Sequence, residues 1–107
     1  MSGVEYAPGE LERIRRRRSI EPTAVEGEPR AVRWVVETGG LPPGEVDAAP
    51  GTLGPLLQYG VLTRVVLEAG AVVTWLADGH EWTDHGPRIR DAVNTAIDLD
   101  GWITASL

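Results

Sequence analysis

Apolar and polar positions alternate in four short stretches of this chain and recur at helical spacing in two others. Residues 30–38 (RAVRWVVET) are β-branched and aromatic in the middle and stop at Gly39–Gly40, which predicts a strand. Residues 41–50 (LPPGEVDAAP) hold three prolines and Gly44 and read as a loop. Leu53, Leu56 and Leu57 then fall at i, i+3, i+4, with Pro55 tolerated in a first turn and Gly60 placed to end a short helix. Residues 61–68 (VLTRVVLE) and 71–77 (AVVTWLA) predict two strands joined tightly at Ala69–Gly70. Asp78–Gly79 marks a turn, and residues 80–82 continue an extended path. Asp84 is placed to cap a second helix with Pro87 near its first turn. In residues 88–98, Ile89, Ala92, Val93, Ala96 and Ile97 share one face. Residues 101–107 (GWITASL) alternate again and predict a last strand.

The expected fold class is α+β: a small, mostly antiparallel sheet with two helices on one face, in the order β-α-β-β-α-β. Trp34, Leu67, Val73 and Trp75 are the expected sheet side of the core. Residues 30–107 form this domain. Residues 1–29 carry Pro8, Pro22, Pro29 and three glycines with few large apolar residues, and read as an extended arm. Within the arm, Leu11 and Ile14 allow a short helix over residues 10–19.

Composition narrows the chemistry. The 107 residues contain no cysteine, which removes disulfides, thiolate nucleophiles and Cys-held zinc or iron–sulfur clusters. No apolar run approaches the roughly 18–20 residues of a membrane span, and the first twelve residues lack a secretory apolar core, so a cytoplasmic location is expected. All ten basic residues are arginine, and six of them fall in residues 1–30 beside six glutamates. Residues 31–107 set four arginines against ten acids, giving an acidic body that argues against a grip on nucleic acid.

Residues 53–107 resemble the C-terminal domain of the NifU family of iron–sulfur assembly proteins. The likeness lies in layout: a helix ending in a glycine turn, a strand hairpin with a valine-rich second strand, a loop, an amphipathic helix and a final strand. It covers about half of the chain. That family carries a CxxC pair between hairpin and second helix, where this chain reads GHEWTDHG, with Glu81 and Asp84 near the cysteine positions. The resemblance therefore implies the scaffold and a setting in iron–sulfur or redox metalloenzyme maturation, without the thiolates that hold a cluster.

The loop from His80 to His85 is the one dense patch of ligand-type side chains. His80, Glu81, Asp84 and His85 are the candidate metal ligands, because imidazole and carboxylate suit Zn²⁺, Fe²⁺ or Mn²⁺. Adjacent residues in a turn seldom aim every side chain at one point, so the competing reading is a polar loop in which Asp84 caps a helix. No nucleophile lies beside a base, and no glycine-rich phosphate loop is present, so no catalytic residue is assigned. Arg13, Arg15, Arg16, Arg17 and Arg18 are candidate contacts to an acidic partner surface. With no Phe and two Tyr, the aromatic interleaving of single-strand nucleic-acid binders is missing. Trp82, in the polar loop, is expected to be exposed and to serve as a further partner contact.

These features point to a non-catalytic accessory protein without a cofactor. It would dock onto a protein partner, such as an iron–sulfur or redox enzyme, or onto a second copy of itself. One rival is a metal- or cluster-handling protein using Glu81, Asp84, His80 and His85 in place of cysteine. The other is a structural subunit of a larger assembly, held through its N-terminal arm.

Overall fold

The computed structural model describes residues 19–105. The short helix expected from residue 10 onward and the arginines between 13 and 18 lie outside the described residues. Within them the chain forms β1 (Glu21–Val25), β2 (Glu28–Val35), β3 (Gly44–Ala48), α1 (Leu53–Gln58), β4 (Leu62–Glu68), β5 (Ala71–Leu76), α2 (Trp82–Ile97) and β6 (Ile103–Thr104). All strand pairs are antiparallel, in the spatial order β1-β2-β5-β4-β3-β6. The fold class is α+β with two helices, as the periodicity implied, and the antiparallel sheet has six strands rather than the expected four.

Two strands were not legible. β1 lies where the arm was expected, so the boundary at residue 29 falls inside a hairpin closed at Gly27, whose φ is 77°. β1 is an edge strand with Glu21, Pro22, Thr23 and Ala24 exposed. It is held by backbone hydrogen bonds to β2 rather than by apolar burial, and a proline is tolerated at an edge. β3 lies in the segment expected to be a loop. Pro42, Pro43 and Pro50 flank the strand rather than interrupt it, and Val46 alone supplies its buried side chain. The order is therefore β-β-β-α-β-β-α-β, and the strand in residues 30–38 is not the one that precedes the first helix. Of the strand expected over residues 101–107, the described part forms only Ile103–Thr104, because Trp102 turns inward and donates its indole N–H to the Ala96 carbonyl at 3.0 Å, and residues 106–107 lie outside the described residues.

Both helices place their apolar residues in one core with the sheet. Leu53 and Leu56 from α1 and Ile89, Ala92, Val93 and Ala96 from α2 join Trp34, Val46, Leu62, Val65, Leu67, Val72 and Leu76. Trp34 donates its indole N–H to the Thr74 hydroxyl at 2.9 Å, so the two polar groups buried in this layer satisfy each other. Val73 is buried as expected and Trp75 only half-buried, but strand alternation puts both on the opposite face from Val72 and Thr74. There Trp75 donates to Glu28 Oε1 at 2.9 Å under the Arg64 guanidinium, 4.7 Å from the ring centroid. Arg33–Glu68 and Arg64–Glu45 pairs, at 3.0 and 2.8 Å, lie across that same face.

α2 begins earlier than the sequence suggested. Its first residue is Trp82, with Glu81 extended at the N-cap and making no side-chain cap bond. Asp84 sits in the first turn rather than capping, and Pro87 lies inside the helix. Half-buried Trp82 packs against the core edge-on to Trp34, with ring centroids 6.1 Å apart, and this contact favours the early start.

Candidate functional site

Two regions carry side chains able to recognise something. The first is the corner between β5 and α2. Arg30, on β2, reaches across it: its Nε donates to the Leu76 carbonyl at 3.2 Å, and a terminal nitrogen donates to the carbonyls of Ala77 and His80, the latter at 2.6 Å. Asp78, exposed, lies 3.8 Å from the same guanidinium. One cation thus ties together three carbonyls at the end of β5, which fixes the path of residues 77–80.

That path brings His80 back over the first turn of α2. His80 Nδ1 and His85 Nε2 stand 3.1 Å apart, with the rings near perpendicular at 80° and both residues half-buried. With Glu81 at the N-cap, they occupy the positions just before the cap and one turn into the helix, which a helix start commonly pairs. Glu81 and Asp84 are exposed, and among the described residues no three His, Asp or Glu side chains are grouped to hold a metal ion. The four candidate ligands therefore resolve into one imidazole pair and two separate carboxylates. Trp82 is not the exposed contact that was expected. It faces the core, and its buried indole N–H has no partner among the described residues.

The second region was missed in the sequence. α1 and α2 leave between them a groove of about 730 Å³. Leu56 and Ala92 are buried at its base with half-buried Val61, while Tyr59, Arg88 and Asp91 are exposed along its rim. Tyr59 is 78 % exposed, the largest exposure of any sizeable apolar side chain among the described residues. Its signal in the sequence was a tyrosine directly before the helix-ending Gly60, three residues after Leu56 and so beside it on the helix face. Gly60, at φ 82°, ends α1 so abruptly that Tyr59 is left projecting at the helix end.

Comparison of the chain with protein-family models, with curated proteins and with solved structures returns no match.

Proposed function

We propose that this chain is a non-catalytic accessory protein that works by docking onto another protein. The observation that carries the reading is the groove between α1 and α2. It combines an apolar base with an exposed aromatic and one charge of each sign, the composition that suits an inserted apolar segment with polar flanks. The layout of residues 53–107 supplies the class of partner: an iron–sulfur or redox metalloenzyme, or the machinery that matures one. Five arginines between residues 13 and 18 give a second, electrostatic contact for an acidic region of that partner.

The test is binary binding. The full chain and a Tyr59→Ala/Arg88→Glu variant are compared as baits in their own host, and a co-purifying protein is then measured with each in isolation. The reading expects a metalloenzyme or maturation factor whose affinity falls at least about tenfold in the variant, a loss of about 1.4 kcal/mol. A partner that binds both chains equally would move the contact away from this groove. Turnover of a substrate by the isolated chain would end the non-catalytic reading.

A further inference from the structure

The chain has only two histidines, no cysteine, and both imidazoles meet at one point. We propose that His80 and His85 form a chelating site for a single borderline divalent transition-metal ion of the Zn²⁺ or Ni²⁺ type. The ion is bound through His80 Nδ1 and His85 Nε2, with water completing its coordination.

The geometry carries the inference. With metal–nitrogen bonds of about 2.0–2.1 Å and a tetrahedral angle, two ligating nitrogens stand about 3.3 Å apart. The observed separation is 3.1 Å, so the spacing already suits one ion, which enters when each ring turns its lone pair off the line between the nitrogens toward a shared point. The pair is also held in advance. Arg30 pins the His80 carbonyl at 2.6 Å, and α2 holds His85 on its first turn. What the ion has left to impose is the turn of the two rings.

In the free protein one ring donates its N–H to the other. Coordination uses both facing lone pairs, so the donor ring carries its proton on its far nitrogen instead and the total protonation is unchanged. Nearby charge sharpens the choice of ion. Arg30 and the N-terminus of α2 place positive charge beside the site, while Asp78, Glu81 and Asp84 are exposed around it. Attraction of a bare double charge is thus weak, and binding depends on imidazole as a donor. Zn²⁺ and Ni²⁺ meet that condition, whereas Mg²⁺ prefers oxygen ligands. This site is independent of the docking groove.

The experiment is a titration of the full chain with Zn²⁺, followed through the ring nitrogens by NMR. Having two histidines in all makes the assignment direct. Both rings should respond together and saturate at one ion per chain, Mg²⁺ should leave them unchanged, and His80→Ala or His85→Ala should each weaken binding by about tenfold or more. Response of one ring alone, undiminished affinity in either variant, or equal shifts with Mg²⁺ would leave only a hydrogen-bonded helix start. Should a variant fail to fold, the wild-type spectra decide the matter alone.

Discussion

The Trp34 indole N–H and the Thr74 hydroxyl are both cut off from water, so each depends on the other for its hydrogen bond. Removing one partner strands the other at a cost of about 1–3 kcal/mol, while removing both with apolar replacements costs less than the sum. Trp34→Phe and Thr74→Val should therefore each lower stability, and the double variant should show a coupling of about 0.5–3 kcal/mol in urea unfolding. Strict additivity would mean that the bond contributes nothing. Gly54 offers a second test at this scale. A Cβ there would run into the Ala49 carbonyl oxygen, a backbone atom that cannot swing aside. Alanine is the better helix former by about 1 kcal/mol, yet overpacking of this kind costs about 1–3 kcal/mol. Gly54→Ala should lower the melting temperature, and an increase would show that β3 and α1 can part freely.

At the scale of elements, burial ranks the positions of α2. Ile89 is fully enclosed, whereas Ile97 near the helix end is only half-buried. Ile89→Ala should cost about 2–5 kcal/mol and Ile97→Ala clearly less, read from thermal or denaturant unfolding of both. Equal losses would mean that the end of α2 packs as tightly as its middle. This contrast also explains what was legible beforehand. The helices and the β4–β5 hairpin declare themselves because their apolar residues recur at a fixed period. β1 and β3 bury almost nothing through their side chains and are recruited by the open edges of neighbouring strands, which leaves no trace in hydrophobic spacing. The corner before α2 was half legible. The density of His, Glu and Asp flagged it, but which of them meet depends on a helix that starts at Trp82, and Trp82 starts it by packing on Trp34, 48 positions earlier in the chain. Deleting residues up to 29 should therefore not spare the fold. It removes β1 and buried Ile20, and bares the edge of β2. Loss of cooperative unfolding, or aggregation, is the expected result, and an unchanged melt would show β1 to be dispensable.

For the molecule as a whole, the decisive chemical question that the proposed partner class raises is whether this chain could itself carry an iron–sulfur cluster. Clusters are held by thiolates, with imidazole replacing two of four only in special cases. This chain has no thiolate to offer, and its two imidazoles are hydrogen-bonded to each other at 3.1 Å. Two imidazoles could serve at most one iron of a cluster, and no thiolate is left for the other. Carboxylates do not close the gap, because Glu81 and Asp84 are exposed and do not join the pair in a common group. Anaerobic incubation with iron and sulfide should thus leave the desalted protein colourless, without charge-transfer absorption in the visible range. Zn²⁺ or Ni²⁺ added to the same sample should still bind at the histidines. A brown, stable species with a fixed iron-to-protein ratio would overturn the separation between scaffold and cluster chemistry, and would require ligands from residues outside 19–105 or from a second copy of the chain.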